Sequence, residues 1–147
     1  TVSLDINPRF VAFGRNKGRI KNGVAGTAYR LCFRDRTFDK VVVADAFHHL
    51  LDHGRLFGEV SRVLKPGGAF VIFDIVGAKE HKAPNRIVNH PCDGPIWLLG
   101  NETFLNRVRA LGESSGLRLT DFRITKRERT FMGLFGGVDA EAILIKV

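Results

Sequence analysis

The stretch Phe38-Asp39-Lys40-Val41-Val42-Val43-Ala44-Asp45-Ala46-Phe47-His48-His49-Leu50 decides how this chain is read. It opens with a valine-rich apolar run over 38–44, broken by Asp39 and Lys40. Such a run predicts a strand covered on both faces. Asp45, His48 and His49 follow it at once. Downstream, Leu56, Phe57, Val60, Val63 and Leu64 fall at helical spacing, with Arg55, Glu59 and Arg62 on the other side. That pattern predicts a helix over 53–64. Lys65-Pro66-Gly67-Gly68 stops the helix, and 69–76 reads as a second buried strand. A strand, a helix and another strand in this order form the repeating unit of an α/β sheet.

Working outward, residues 2–4 read as a short strand ending in Asp5. Asn7 offers an N-cap, and Pro8 suits the first helical position because its absent N–H costs nothing there. The helix should run to about Lys17, where Gly18 can take the left-handed conformation that ends it. A weak extended segment follows over 24–28. On the other side, 77–100 has little periodicity and three prolines, so it reads as a long surface excursion of the kind that serves as a lid or binding segment. Asn101 is placed to cap a helix carrying Phe104, Leu105, Val108 and Leu111, closed by Gly116. The tail alternates at Leu117, Leu119, Phe122 and Ile124, turns through Gly133, Gly136 and Gly137, and ends in a strand over 140–147 that should pair antiparallel. The expected fold class is therefore α/β, a single domain over 1–147 with a mostly parallel sheet and an antiparallel edge. In such sheets ligands bind beyond the carboxyl ends of the strands.

Bulk properties fit one soluble core. Apolar residues make up 44% of 147 and charged residues 26%. No apolar run approaches the ~20 residues of a membrane-spanning helix. Cys32 and Cys92 lie far apart without a metal-ligand spacing, as expected of reduced thiols in the cytoplasm. The net charge of +8 favours an anionic partner such as RNA, an acidic lipid or an acidic substrate. The basic residues are nevertheless dispersed, with small clusters at Arg15, Lys17, Arg19 and Lys21 and at Arg123, Lys126, Arg127 and Arg129, so a solvated surface is the first reading. Thr1 is not a methionine, and residues 2–4 already read as strand, so the chain is expected to start inside a fold.

Asp5, at a strand's carboxyl end, can accept from both hydroxyls of a ribose. It can equally serve as a helix-entry carboxylate beside the helix dipole. Its surroundings favour the first role. Val2-Ser3-Leu4-Asp5-Ile6-Asn7-Pro8-Arg9-Phe10 resembles the second-strand motif of class I S-adenosylmethionine-dependent methyltransferases. The stretch over 38–50 resembles the fourth-strand motif of the type 11 branch of that family. Arg62-Val63-Leu64-Lys65-Pro66-Gly67-Gly68-Ala69-Phe70-Val71-Ile72 is similar to its turn into the fifth strand. The resemblance covers 2–74; beyond that it is one of topology. It implies a Rossmann-like three-layer sandwich and S-adenosylmethionine as cofactor, with Asp5 on the ribose, Ile6 against the adenine, and Thr27, Ala28, Ala44 and Asp45 completing the cofactor set. The family's usual Gly-Asp-Ala is here Gly26-Thr27-Ala28, which replaces a carboxylate acceptor for the adenine amino group by a neutral, shorter hydroxyl. The family's first strand and glycine-rich loop would precede Thr1. Without that central strand, 2–4 and 41–44 are expected to pair directly or recruit a strand, because a gap of unpaired buried backbone is expensive.

His48 and His49 follow the fourth-strand motif, near where the resemblance puts the methyl donor, and His49 is the expected catalytic residue. A histidine can take a proton from a hydroxyl or an acidic carbon, because it titrates near neutrality. Capping the next helix, or bonding to a backbone carbonyl, is the alternative role. Neither His48, His49, Asp52 and His53 nor His81, His90, Cys92 and Asp93 has a recognised ligand spacing, so no metal is expected. Trp97 and the phenylalanines line either an apolar acceptor pocket or plain core. Asp45-Ala46-Phe47-His48 stands where enzymes of this class that methylate nucleobase amino groups carry Asn/Asp-Pro-Pro-aromatic, which points to a small-molecule acceptor. The expected function is thus cytoplasmic methyl transfer from S-adenosylmethionine to a small molecule, with nucleic acid a lesser partner and a homodimer an open arrangement. The rivals are a non-catalytic remnant of the fold acting as an interaction protein, and an RNA-directed methyltransferase.

Overall fold

The computed structural model describes residues 1–77, 86–90, 94–98, 100–131 and 135–147, with side chains over 1–76, 100–124 and 139–147. β1 (Ser3–Asp5) and β2 (Gly23–Ala25) form a parallel pair, with α1 (Pro8–Asn16) crossing between them. Asn7 caps α1 by accepting from the Arg9 N–H at 3.0 Å, Pro8 fills the first turn, and Gly18 adopts φ +65° past the end, as the sequence predicts. Gly23 is required by packing, because a Cβ there would lie 2.7 Å from Val11 Cγ1 and 2.9 Å from Ile20 Cδ1. The Arg15 guanidinium also donates to the Gly23 carbonyl, tying α1 to β2.

The second unit is a sheet of order β3-β4-β8-β7, built from β3 (Phe38–Ala44), β4 (Leu64–Gly77), β8 (Phe135–Lys146) and β7 (Leu117–Phe131). β3 and β4 are parallel, while β8 is antiparallel to both β4 and β7. α2 (His53–Val63) makes the crossover from β3 to β4. It buries Leu56, Phe57, Val60 and Val63, the stripe read from the sequence. Asp52 caps its start by accepting from the Arg55 N–H at 3.0 Å. The Lys146 ammonium donates to the Ser61 and Leu64 carbonyls at 2.6 and 2.9 Å, which places a cation at the helix's negative end. α3 (Asn101–Ser114) packs on β7 and β8 through Phe104 and Val108. Gly112 lets it approach, since a Cβ there would fall 2.6 Å from Leu144 Cδ2 and 2.7 Å from the Leu117 carbonyl oxygen. Between sheet and helices lies the core of Phe47, Phe57, Phe70, Phe104, Ile72 and Leu144 with their neighbours. Among the described residues no helix is long and apolar enough to cross a membrane.

The structure departs from the sequence reading at several places. The excursion over 77–100 contains an antiparallel pair, β5 (Arg86–His90) and β6 (Gly94–Leu98), with Arg86 opposite Leu98 and His90 opposite Gly94. The signal was Asp93-Gly94, a turn dipeptide between two short apolar runs. Gly100, not Asn101, is the cap residue of α3, and the Asn101 side chain accepts from the Glu102 N–H at 2.7 Å. β3 is covered on one face only: Phe38, Val41 and Val43 pack on the core, whereas Val42 is 55% exposed. Finally, β1 and β3 neither pair with each other nor, among the described residues, share a third strand, so the arrangement judged expensive is the one observed. All of β1 is half-buried, and β3 alternates between half-buried and exposed, so water can satisfy backbone groups at the open edges.

Candidate functional site

The carboxyl ends of β1 and β2 are joined by the Gly26 N–H donating to the Asp5 carbonyl at 2.9 Å. This brings Asp5 and Ile6 beside Thr27 and Ala28. One Asp5 carboxylate oxygen accepts from the Asn7 N–H at 2.7 Å, so the side chain is fixed ahead of α1 while its remaining lone pairs are available to a ligand. Ile6 next to it is 76% exposed, an unpacked apolar side chain at the mouth of the strand pair. The Thr27 hydroxyl accepts from the Tyr29 N–H at 3.2 Å. Ala28 packs against the core edge. The Tyr29 hydroxyl in turn accepts from the Leu51 and Asp52 N–H groups at 2.8 and 3.3 Å. Tyr29 thereby couples the loop after β2 to the segment after β3.

At the end of β3, Ala44 pairs with Phe73 of β4, and the Asp45 N–H continues the ladder by donating to the Phe73 carbonyl at 2.9 Å. Asp45 itself has φ +48°, the left-handed region, which costs a non-glycine residue energy and concentrates at functional turns. The chain then enters a short 3₁₀ turn, Phe47–His49. Asp74 on β4, 1% exposed, takes hold of that turn. Its Oδ2 accepts from the His48 backbone N–H at 2.8 Å, and its Oδ1 accepts from the Ile75 N–H at 2.7 Å and lies 2.5 Å from His48 Nδ1. The His49 ring lies against His48, with centroids 4.1 Å apart at 44°. Backbone contacts place β6 against the same turn.

A family described as "Methyltransferase domain" matches residues 1–72, the region that holds both strand ends. The match covers 72 of the 147 residues, just under half of the chain. Among curated relatives, the chain is similar to the sterol 24-C-methyltransferase of Eremothecium gossypii, 37% identical over 42% of this chain and 17% of that protein. It is also similar to the demethylmenaquinone methyltransferase of Thermotoga maritima, 40% identical over 47% of this chain and 31% of that protein. In both cases the match spans less than half of the relative's length. A methyltransferase structure from Methanosarcina mazei described as S-adenosylmethionine-dependent superposes with a TM-score of 0.76 at 17% identity, over 99% of this chain and 81% of that one. The 1,6-didemethyltoxoflavin-N1-methyltransferase of Burkholderia thailandensis, solved with S-adenosylhomocysteine bound, superposes with a TM-score of 0.64 at 17% identity, over 99% and 60% of the two chains. These likenesses establish the Rossmann-like methyltransferase fold.

Elsewhere among the described residues, ion pairs tie the loop over 31–36 to α2. Arg62 donates to Glu59, to Asp35 and to the Leu31 and Phe33 carbonyls at 2.7–2.9 Å. The carboxylates of Glu59 and Asp35 hold its guanidinium pKa above the ordinary value, and the Arg62 hydrogen bond holds the Glu59 carboxyl below its own. Glu59 also accepts from the Leu31 N–H at 2.6 Å, so the loop over 31–36 is stapled to α2. His53 is buried at 8% exposure and stacks on Phe47 with centroids 4.0 Å apart at 3°. Burial pushes its pKa down, with the Arg107 guanidinium adding to the effect. Among the described residues no cluster of metal-ligating side chains occurs, and Asp52 and His53 of the first imagined set have the structural roles just given. The side chains of His81, His90, Cys92, Asp93, Trp97, Lys126, Arg127 and Arg129 lie outside the described residues. Two positioning residues escaped the sequence reading. Tyr29, the chain's only tyrosine, had no motif to mark it. Asp74 had one, as the single carboxylate inside the apolar run over 69–76.

Proposed function

We propose that this chain transfers the methyl group of S-adenosylmethionine to a small-molecule acceptor in the cytoplasm. The observation that carries the reading is the joined end of β1 and β2, where Asp5 closes β1, the exposed Ile6 follows it, and Thr27 lies two residues past the end of β2. A nucleoside fits that set: a carboxylate for ribose hydroxyls, an apolar side chain with no protein cover for the face of a purine, and a hydroxyl acceptor for its exocyclic amine. Ala28, Ala44 and Asp45 complete the proposed cofactor contacts. The proton carrier is sought in the histidine pair, of which His49 is the residue taken from sequence. Support for a small acceptor comes from the relatives, whose names give a sterol and demethylmenaquinone. Methyl transfer draws its rate chiefly from in-line alignment of nucleophile, methyl carbon and sulfonium, and the role proposed for these residues is to fix the donor's end of that line. Among macromolecular partners, a second copy of the chain suits the open strand edges better than RNA suits a dispersed basic surface.

The test is calorimetric titration of the folded chain with S-adenosylmethionine and with S-inosylmethionine. Saturable binding with preference for the adenosyl compound is expected. A folded chain that binds neither is a non-catalytic relative of the fold. RNA binding whose affinity falls steeply with salt would instead favour a nucleic-acid acceptor.

A further inference from the structure

The two halves of the proposed cofactor set stand on different ladders. Asp5, Ile6, Thr27 and Ala28 belong to the β1–β2 unit, Ala44 and Asp45 to the four-stranded sheet, and among the described residues no ladder joins the two. Side-chain bonds between the units therefore help to set their spacing. We infer that Tyr29 is the positioning residue that does so, and that a purine's exocyclic amine, on reaching Thr27, tightens the segment after β3 through Tyr29. The inference rests on the methyl-transfer reading above and deepens it.

The path of contacts is short. The Tyr29 backbone N–H donates to Thr27 Oγ1 at 3.2 Å, which fixes the base of the tyrosine to the hydroxyl proposed to meet the purine. At its far end the phenol oxygen accepts from the Leu51 and Asp52 N–H groups at 2.8 and 3.3 Å. Those two amides lie between the 3₁₀ turn Phe47–His49 and α2, where a backbone donor depends on a side chain or water for its partner. On one side of them the Leu50 N–H donates to the Phe47 carbonyl at 3.0 Å, and on the other the Asp52 carboxylate accepts from the Arg55 N–H at 3.0 Å. Residues 51 and 52 are thus the joint between turn and helix, and the phenol holds that joint. A tyrosine suits the task, because a rigid ring on two side-chain torsions passes a displacement from end to end with little loss to rotamer change.

A hydroxyl oxygen has two lone pairs. At Thr27 one takes the Tyr29 N–H, and the second can take the amine of an adenine. With both engaged, the threonine is confined to one rotamer, and the loop over 27–29 loses freedom that Tyr29 otherwise shares with the joint. Ordering one end of a connected element lowers the cost of ordering the other, so the two ends are thermodynamically coupled. The next part of the loop is anchored to α2 by Glu59, which accepts from the Leu31 N–H at 2.6 Å and from Arg62 at 2.7 Å, so a shift at 27–29 is not absorbed further along. An acceptor molecule beside the turn then meets a joint already ordered by the donor, as in-line alignment requires.

Amide hydrogen exchange of the whole chain, followed residue by residue by NMR, tests the link. Tyr29→Phe keeps the ring and removes the acceptor. In the unliganded chain it should quicken exchange at Leu51 and Asp52 by ~10-fold, the scale of one lost hydrogen bond. Val60, buried inside α2, should change by less than about twofold and so report that the fold is intact. Thr27→Val should quicken the same two amides by ~3-fold and add nothing in the Tyr29→Phe background. An unchanged rate in Tyr29→Phe, or an equal effect of Thr27→Val in both backgrounds, overturns the proposal. Saturating S-adenosylhomocysteine should slow exchange at Leu51 and Asp52 by ~3-fold in the native chain and not in Tyr29→Phe. S-inosylhomocysteine at saturation lacks the amine and should leave both amides unchanged, a distinction that a merely structural phenol would not make. Equal protection by the two ligands, or protection that persists in Tyr29→Phe, also overturns it. Calorimetry separates the two failures. S-adenosylhomocysteine bound without protection removes the coupling and leaves methyl transfer standing, whereas no binding at all removes the methyl-transfer reading and the ligand's part in the coupling with it.

Discussion

Asp5 accepts the Asn7 N–H with one oxygen, so truncating it affects the fold and the proposed ligand together. Asp5→Ala should weaken S-adenosylmethionine binding by roughly 1.5–3 kcal/mol, as for lost hydrogen bonds to a charged group, and should also cost the chain ~1 kcal/mol of stability. Asp5→Asn separates the effects, since an amide oxygen still accepts from Asn7 but carries no charge to a ribose. Weaker binding at unchanged stability in that variant places Asp5 in the site, and full affinity removes it. Thr27 offers the reverse experiment. A carboxylate at 27 can keep the 3.2 Å bond from the Tyr29 N–H and still accept from an exocyclic amine more strongly than a hydroxyl does. Thr27→Asp should therefore raise the preference for adenosyl over inosyl donor in competition titrations. An unchanged preference means that residue 27 does not face the base. At this scale the neighbourhood of Asp5 and Thr27 was legible, because Asp5 ends β1 and Thr27 lies two residues past β2. The hold of Asp74 on the turn after β3 was not, because the chain brings Asp74 over from β4, 26 residues from His48.

Elements were legible wherever local chemistry fixed them. Asn7-Pro8 and Gly18 delimit α1 in the sequence as in the structure, and the apolar stripe of α2 is buried as its spacing requires. β5 and β6 were missed because prolines and short apolar runs carry little periodicity, leaving one turn dipeptide as the signal. The junction between the 3₁₀ turn, α2 and α3 was invisible for another reason: it is made by contacts across the fold. There His53 stacks on Phe47, its Nε2 lies 3.3 Å from the Phe47 carbonyl, and the Arg107 guanidinium of α3 stands 3.4 Å from Nδ1. Burial and Arg107 hold its pKa below the ordinary histidine value, outweighing the opposing pull of the Phe47 carbonyl, Asp74 and Asp52. The unfolded chain therefore binds this proton more readily than the folded one. The stabilisation is fully present above the unfolded value, near 6.5, and is lost as pH falls from there through the lowered folded value. Urea unfolding from pH 7.5 to 5 should show stability falling with pH, and His53→Phe, which can retain the stack, should flatten part of that fall. A variant curve parallel to the native one would mean that His53 does not titrate between the two states.

At the scale of the molecule the described residues form three separate ladders, the β1–β2 pair, the four-stranded sheet and the β5–β6 pair, where the resemblance led to the expectation of one sheet. The β1–β2 pair and the four-stranded sheet are tied through Tyr29 and the loop braced by Arg62, not through a shared ladder. Sequence reading treated the junction as buried, and hence as expensive to leave open. What it could not see was that Val42 stands 55% exposed on the uncovered face of β3, with Ile6, Phe10 and Phe13 at 76%, 63% and 53% around β1 and α1. Exposed apolar side chains beside a strand edge favour pairing with a further strand, whether from elsewhere in the protein or from a second copy. The chain is accordingly expected to self-associate with rising concentration in light scattering. Val42→Lys should weaken that association, because a charge on the open face must be desolvated in the contact, and it should leave monomer stability nearly unchanged at so exposed a position. Saturating S-adenosylhomocysteine distinguishes the source of the attraction. If Ile6 at the nucleoside site drives it, the ligand should dissociate the assembly; if the β3 face does, the assembly should persist with ligand and fail only in Val42→Lys. A chain that stays monomeric across the concentration range would show that solvent alone satisfies both edges.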